Sequence, residues 1–431
     1  MILFTLVVLL VVFILSGLEV AWAIGLTAFI CIALSQFTDN PQPFVVFAHE
    51  MTSGINSFTL LSVPLFIFAG ELLTLSGATK RLVDLASAMV GHLNGGLANV
   101  AVTANFVVSG MSGSAMADAA ATGAVLVPEM KRRGYPVDYA CAVIACAATV
   151  GPLVPPSLLF IVLGAAVNIS VGKLFLAGIV PAFIVFLSMY ALTWYIAKKR
   201  GLPREIKMPR RQRLRTIVIG LPPLIAPAFV VASMVLGIAT PTEAAAIAVF
   251  YTLMLGVVFY RTLTVRNIIE CAGRSALVAS AVMLTVATSQ IFSALVVHEQ
   301  FGDMLTEGML SVSHNPYVLL VMVNLILLML GMFMEPLPIV LVLAPLLVPM
   351  MESVGVDPVH LGVVMVLNLM VGLIHPPVGM NLFVVSAIGR IEVMRVFFEA
   401  IPYMILLIGL LIGVTYIPQL SLFLPNLIMG H

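Results

Sequence analysis

The chain has 431 residues, of which 61% are hydrophobic and 9% are charged, and its mean hydropathy is +1.17. These values exclude a water-soluble globular protein and indicate a polytopic membrane protein. The net charge of +1 provides no positive field for nucleic acid, so we expect no nucleic-acid partner. The four cysteines have no CxxC spacing, which favours packing roles over a zinc site.

Ten apolar segments are long enough to cross a membrane as helices, and glycine or proline interrupts two of them. The segments are 1–17, 20–37, 59–76, 139–168 (broken), 174–197, 216–237, 241–260, 275–297, 359–388 (broken) and 398–424. Two further apolar stretches, 95–129 and 316–349, contain glycines or prolines near their middle and predict re-entrant helical hairpins. The first segment has no Lys or Arg before it, which favours a retained helix over a cleaved signal peptide.

The positions of the basic residues predict the topology. With both termini in the periplasm, nineteen of the twenty Lys and Arg residues lie in the cytoplasm and Lys173 is the exception. Counting each hairpin as one span would move some basic groups outside, so the positive-inside rule favours hairpins. The basic run 198–215 then becomes a cytoplasmic linker between two halves, and binding of anionic lipid is its alternative role.

A shift of 221 residues without a gap superposes the helix-breaking residues of the two halves. The matched positions are Gly110 and Gly331, Pro128 and Pro349, Gly134 and Gly355, Gly151 and Gly372, Pro155-Pro156 and Pro376-Pro377, and Pro181 and Pro402. Because the two hairpins enter from opposite sides in this topology, we expect inverted repeats. Such repeats are typical of secondary transporters, which bind substrate and coupling ion at the interrupted segments.

The first hairpin tip and the first broken helix predict a sodium site. Glycines expose backbone carbonyls, serines add hydroxyl oxygens, and prolines leave the carbonyls of the preceding turn free. The predicted ligands are Ser109, Gly110, Ser112, Thr149, Gly151 and Val154. Symmetry predicts a second sodium site from Gly331, Met334, Glu335, Asn368, Gly372, His375 and Pro376. A simple kink is the alternative for any single break.

Polar groups near the breaks predict the substrate contacts. These are Ser112, Ser114, Asp118, Ser157 and Asn381. A carboxylate inside the membrane is functional by default, although Asp118 could equally cap the returning helix. Glu243, which follows Thr240 at a helix start, is expected to act as a cap. Residues 110–113 also match GxSG, so an intramembrane serine protease is a remote alternative.

Five motifs together resemble the large membrane subunit of tripartite ATP-independent periplasmic (TRAP) transporters, of the DctM/SiaM type. They are Gly113-Ser114-Ala115-Met116-Ala117-Asp118, Pro155-Pro156-Ser157, the run 170–178, Thr240-Pro241-Thr242-Glu243-Ala244-Ala245-Ala246 and Pro376-Pro377-Val378-Gly379. The resemblance covers nearly the whole chain. His375 departs from it, because the family more usually has threonine before the paired prolines.

The resemblance implies an all-α, elevator-type importer of organic anions such as sialic acid or C4-dicarboxylates, driven by two or more sodium ions, in the bacterial inner membrane. Its implied partners are a small four-helix membrane subunit of the DctQ/SiaQ type and a periplasmic substrate-binding protein. Scaffold helices are expected at 1–92 and 216–314, and the two halves of a transport domain at 93–197 and 315–427. The sequence has no GxxxxGK[ST] motif, so we expect no ATP. A stand-alone sodium- or proton-coupled carrier of another family is the alternative.

Overall fold

The computed structural model describes residues 2–37, 41–205 and 207–430, and every regular element in these ranges is helical. The helices of the first half are α1 (Ile2–Leu15), α2 (Val20–Ser35), α3 (Phe44–Ile55), α4 (Ser62–Leu75), α5 (Ala78–Val90), α6 (Gly96–Ser112), α7 (Ala115–Arg132), α8 (Val137–Ala148), α9 (Leu158–Ala166) and α10 (Val171–Lys199). Positions 1, 38–40 and 206, which belong to the predicted segments 1–92 and 198–215, lie outside the described residues.

The second half contains eleven helices within the described residues. They are α11 (Arg210–Gly220), α12 (Ile225–Val235), α13 (Pro241–Met254), α14 (Val265–His298), α15 (Phe301–Val312), α16 (Pro316–Gly331), α17 (Pro336–Ser353), α18 (Pro358–Gly372), α19 (Met380–Gly389), α20 (Val393–Tyr416) and α21 (Gln419–Met429). Seven helical segments of the described chain are long and apolar enough to cross a membrane, or eight if one bent pair is counted as a span. The predicted all-α polytopic membrane fold is confirmed.

Several predicted spans differ from the helices observed. Helices α1 and α2 have 14 and 16 residues, which is shorter than the roughly 20 residues of a typical span. The predicted span 59–76 is the second arm of a pair, α3 and α4, bent by 64°. Sequence analysis missed α3 because its polar residues resemble a loop. It is helical because it packs on α14 so closely that a Cβ on Gly54 would lie 2.3 Å from Gln290 Cγ.

Two amphipathic helices and one terminal helix were also missed. Helix α5 buries one face, including Leu82 and Leu85, and leaves Lys80 exposed, so its mean hydropathy is low. Helix α15 lies at the equivalent place in the second half, where Met309 is buried and Glu307 is exposed. The predicted span 398–424 is divided at Ile417 and Pro418 into α20 and α21, because proline cannot continue the hydrogen-bond ladder.

The 221-residue repeat extends to the helix boundaries. Adding 221 to the bounds of α7 gives those of α17, and adding it to α5 and α8 places them on α15 and α18 within a few residues. Five candidate spans lie between the hairpin α6–α7 and the hairpin α16–α17. An odd number of crossings would make the two hairpins enter from opposite faces, as the predicted inverted repeats require, and α17 alone is also long and apolar enough to count as a span.

The linker between the halves is shorter than predicted, because α10 continues to Lys199 and α11 begins at Arg210. Its middle packs against the base of the first hairpin. The Glu205 amide donates to Gly91 O at 3.1 Å, and Tyr135 Oη donates to Pro203 O at 2.6 Å. Burial raises the pKa of Tyr135 to about 12, so its hydroxyl keeps the proton for this bond. We call residues 203–205 the strap.

Candidate functional site

The tip of the first hairpin is shaped by one glycine and one serine. Helix α6 ends because Gly113 adopts φ +60°, a left-handed conformation that favours glycine. A Cβ on Gly113 would lie 3.0 Å from both Pro156 O and Leu158 N, so the tip rests directly on the backbone of the first break. Ser114 then caps α7 by accepting a hydrogen bond from the Ala117 amide.

Asp118 is fully buried behind this tip. Ser109 Oγ donates to its Oδ2 at 2.7 Å, and Ser112 Oγ donates to its Oδ1 at 2.5 Å. A Cβ on Gly151 would lie 2.7 Å from Asp118 Oδ2 and 3.2 Å from Ser109 Oγ. The structure therefore brings three predicted sodium ligands, Ser109, Ser112 and Gly151, together around the carboxylate of Asp118. Since Ser114 provides the helix cap, Asp118 is bonded to the hairpin hydroxyls instead of capping α7.

The other predicted ligands of the first site lie on either side of this cluster. A Cβ on Gly110 would contact Pro155 O at 3.5 Å and Val154 Cγ1 at 3.7 Å, so the hairpin also touches the break there. Thr149 is buried, and its hydroxyl donates back to Cys146 O at 2.7 Å. Its hydroxyl therefore bonds within α8, away from the Asp118 carboxylate.

The second hairpin meets the second break through glycine backbone. A Cβ on Gly372 would lie 2.6 Å from both C and O of Gly331. Asn368, which is fully buried, donates to Asn324 O at 2.9 Å and to Asn324 Oδ1 at 2.7 Å. The Asn368 Oδ1 atom is buried without a hydrogen-bond partner among the described residues, which leaves one oxygen beside the break for a ligand.

The remaining residues predicted for the second site are more dispersed. Met334 is buried at 8% exposure, whereas Glu335 is exposed at the start of α17. His375 is half-buried, and its Nδ1 lies 2.7 Å from the carbonyl oxygen of the next residue, Pro376. The His375 ring is thus bonded within the break itself.

A cavity of about 220 Å³ lies where the two hairpin tips face each other. Its wall includes Ser112 and Ser114 from the first tip, Glu335 from the second, and Glu71 and Thr74 from α4. Further lining residues are Phe66, Ile67, Gly70, Gly113, Ala115, Met116, Ala117, Pro152, Leu158, Leu159, Val278, Val282, Pro336, Leu337, Met370 and Leu373. None of the described residues in this wall is basic. We call this space the central cavity.

Three predicted substrate contacts lie outside this lining, and all are fully buried. Asp118 bonds to the hairpin hydroxyls, and Ser157 caps α9 by accepting from the Phe160 amide. Asn381 Nδ2 donates across the halves to Ala145 O at 3.2 Å. Sequence analysis missed Glu71, although a carboxylate within a predicted span is itself a signal. The predicted Glu243 cap is confirmed, because Glu243 and Thr240 form a reciprocal capping box.

The family model for the tripartite ATP-independent periplasmic transporter, DctM component, matches residues 7–420 of this chain. The chain belongs to the DctM family. It is 39% identical over 384 residues to the sialic acid TRAP transporter large permease protein SiaM of Vibrio cholerae, an alignment that covers 89% of this chain and 90% of that protein. It is 35% identical over 437 residues to the C4-dicarboxylate TRAP transporter large permease protein DctM of Rhodobacter capsulatus, an alignment that covers 97% of this chain and 98% of that protein.

Other matches place this DctM-family permease in a wider context. It is 34% identical to the isethionate TRAP transporter permease protein DctMQ of Oleidesulfovibrio alaskensis, covering 95% of this chain and 64% of that longer protein. The Alcanivorax borkumensis YdaH transporter and Neisseria gonorrhoeae MtrF each align with a TM-score of 0.61 at 15% identity. Each alignment covers 87% of this chain, and the two cover 88% of the YdaH chain and 83% of the MtrF chain. The similarity concerns the fold alone.

Family membership decides between the alternatives raised by the sequence. The large permease of this family works with a small permease and a periplasmic binding protein. The protease alternative also lacks its base in the described residues, because Ser112 Oγ bonds to a carboxylate and to Ser114 O and not to an imidazole. This DctM-family permease is therefore a membrane-spanning transporter subunit.

Proposed function

We propose that this chain is the permease subunit through which a small organic acid anion enters the cell together with sodium ions. The observation that carries the proposal is the buried Asp118 carboxylate, which lies between two hydroxyl groups and the glycine of a helix break. An unpaired carboxylate in a membrane is costly, and no basic side chain is bonded to Asp118 in the described residues. A sodium ion beside Ser109, Ser112 and Gly151 would supply the missing positive charge.

The second ion is assigned to the matching break of the second half. Its ligands would be backbone carbonyls near Gly331 and Gly372 and the orphan Oδ1 atom of Asn368. Hard cations such as sodium prefer oxygen ligands of this kind. The Glu335 side chain is exposed and the His375 ring bonds to Pro376 O, so we assign this ion to neutral oxygens.

The substrate is proposed to bind in the central cavity. The relatives named above carry sialic acid and C4-dicarboxylates according to their names, and both substrates are carboxylates. The described lining contains no basic side chain and two acidic ones, Glu71 and Glu335. An anion would be repelled there unless cations bound first, so the charge of the cavity itself would couple substrate binding to sodium.

The movement is proposed to be of the elevator type. Both hairpins and both broken helices would move together past α4 and α14, which form the opposite wall of the central cavity. Positive-inside topology places both termini in the periplasm and the end of α4, next to Lys80 and Arg81, in the cytoplasm. Glu71 and Thr74 lie near that end and are exposed, so we propose that the cavity is open to the cytoplasm in an inner membrane.

Uptake into proteoliposomes tests the proposal. The permease would be reconstituted with its four-helix small permease, the periplasmic binding protein would be added outside, and radiolabelled sialic acid and succinate would be offered. We expect uptake that depends on an inward sodium gradient with more than one ion per substrate. Equal uptake when choline replaces sodium, with a proton gradient alone sufficient, would contradict the proposed coupling.

A further inference from the structure

A second polar pocket lies beside α14, on the side that the predicted topology assigns to the periplasm. It has a volume of about 200 Å³ and contains the side chains of Ser53, Ser57, Asn168 and Gln290. Its other lining residues are Gly54, Leu60, Val162, Ala165, Ala166, Val286 and Leu341. No charged residue lines this pocket among the described residues. We call it the upper pocket.

The upper pocket and the central cavity share three helices in their linings. Helix α14 contributes Val286 and Gln290 to the upper pocket and Val278 and Val282 to the central cavity. Helices α9 and α17 also contribute to both spaces, and Leu60 of the upper pocket lies two residues before α4, which lines the central cavity. With a rise of 1.5 Å per residue, Gln290 lies about 12 Å beyond Val282 along α14. The two spaces are therefore successive positions along one interface.

Buried apolar side chains separate the two spaces. Leu60, Val162 and Val286 line the side of the upper pocket that faces the central cavity, and they are at most 4% exposed. By contrast, the central cavity has exposed residues at its other end, toward the cytoplasm. The path is thus closed toward the periplasm and open toward the cytoplasm.

The polar groups of the upper pocket are available for a ligand. The Gln290 and Asn168 amides and the Ser57 hydroxyl take part in none of the side-chain hydrogen bonds of the described residues, and Gln290 and Ser57 are half-buried. The stem of Gln290 is fixed by its close packing on Gly54. An amide and a hydroxyl can each donate to carboxylate or hydroxyl oxygens, without the repulsion that Glu71 would exert on an anion.

We propose that Gln290 and Ser57 form the periplasmic capture site for a small hydroxylated carboxylate, which they bind when the hairpin tips have moved up to the level of the upper pocket. This inference rests on the proposed function. Toward the periplasm the anion would meet neutral donors, and toward the cytoplasm it would meet Glu71. The fixed wall therefore favours capture on one side and release on the other.

The test compares substrate affinity on the two faces of the membrane. Gln290→Met keeps the side-chain length but removes the amide, and Gln212→Met, at an exposed position of α11, is the matched control. The complete transporter would be assayed in right-side-out and inside-out vesicles with radiolabelled sialic acid and succinate. We expect Gln290→Met to raise the half-saturating substrate concentration at least about fivefold at the periplasmic face only, and Gln212→Met to change neither face.

A second variant keeps the test informative if Gln290→Met misfolds. Ser57→Ala removes one hydroxyl, and we expect it to raise the periplasmic half-saturating concentration about twofold with the cytoplasmic value unchanged. Equal changes at both faces, or wild-type values for both Gln290→Met and Ser57→Ala, would overturn the capture site while leaving sodium-driven uptake intact. Absence of sodium-dependent uptake by the unmodified transporter would overturn the proposed function, and the capture site with it.

Discussion

The two hairpin-and-break assemblies share a backbone plan but differ in side-chain chemistry. Glycines occupy equivalent positions in both halves, Gly110 and Gly151 in the first and Gly331 and Gly372 in the second. The first assembly surrounds the carboxylate of Asp118 with two serine hydroxyls. In the second assembly, the positions equivalent to Ser109, Ser112 and Asp118 are Leu330, Phe333 and Ile339.

This difference shows that the repeat preserves the glycines of the hairpins and breaks and not a set of polar side chains. A fixed negative charge stabilises a cation more than neutral oxygens do, and it also costs more when the cation leaves. The first assembly is therefore expected to bind its sodium ion through charge. The second is expected to depend on backbone geometry and on the orphan oxygen of Asn368.

The largest effect is expected for Gly372→Ala. The added Cβ would lie 2.6 Å from backbone atoms of Gly331, which cannot rotate away as a side chain can. Overpacking a core typically costs about 1–3 kcal/mol, so we expect at least about tenfold less sodium-driven uptake per cell. Gly409→Ala in α20, with no heavy atom within 4 Å of the added Cβ, should behave as wild type. Wild-type uptake by Gly372→Ala would show that the second assembly does not need this contact.

Asp118→Asn should produce the next largest effect. The amide keeps the volume but removes the charge that the two hydroxyls stabilise. Hydrogen bonds to charged groups are worth about 1.5–3 kcal/mol, so the half-saturating sodium concentration for uptake should rise about tenfold or more. Glu129→Gln, at the far end of the same helix, is the control. A hydrogen bond from Arg133 lowers the pKa of Glu129, which lies outside the membrane. Loss of the Glu129 charge should therefore leave the sodium dependence of uptake unchanged.

Glu335→Gln tests whether the second assembly binds its sodium ion without a carboxylate. Glu335 is exposed in the wall of the central cavity and does not bond to the Gly331–Gly372 contact. If the second ion is bound by neutral oxygens, the half-saturating sodium concentration should change less than about threefold, which corresponds to under about 0.7 kcal/mol. A shift as large as that of Asp118→Asn would mean that the second assembly also binds sodium through charge.

The smallest effect is expected at the strap, which contacts α5 and the base of the first hairpin. Glu205 accepts a hydrogen bond from Ser87 Oγ at 2.9 Å and pairs with Arg133 at 3.4 Å. Glu205→Gln weakens a half-exposed pair, so the free energy of unfolding should fall by about 1 kcal/mol or less. Thermal unfolding in detergent would detect this as a slightly lower Tm. Glu270→Gln, which breaks the exposed pair with Arg266, should leave Tm unchanged.

The sequence predicted the parts of the fold that depend on helix breakers and apolar runs. Gly110, Gly151, Gly331 and Gly372 identified both hairpin contacts, because only glycine permits such close backbone approach. Helix α3 was missed because its stability comes from packing on α14, to which its own polar sequence gives no clue. The role of Asp118 needed the structure, because its partners Ser109 and Ser112 come from the opposite arm of the hairpin.

The placement of different polar groups along the path was also not predicted from the sequence. Glu71 and Gln290 lie on different helices, and only the packing of α4 against α14 places them along one interface. Likewise, the Asn381 amide reaches across to Ala145 O in the other half. No local pattern predicts such a contact, because it depends on how the two repeats pack against each other.

The most direct test of the elevator account is the sidedness of a cysteine at Ser112. In a background without Cys31, Cys141, Cys146 and Cys271, Ser112→Cys would be labelled with a membrane-impermeant thiol reagent from each face. We expect labelling from the cytoplasm at rest and from the periplasm when sodium and substrate shift the population, since ligands act only through differential binding. Thr74→Cys and Ser57→Cys on the opposite wall should react from the cytoplasmic and periplasmic faces respectively under all conditions. Labelling of Ser112→Cys from one face alone under every condition would contradict the account.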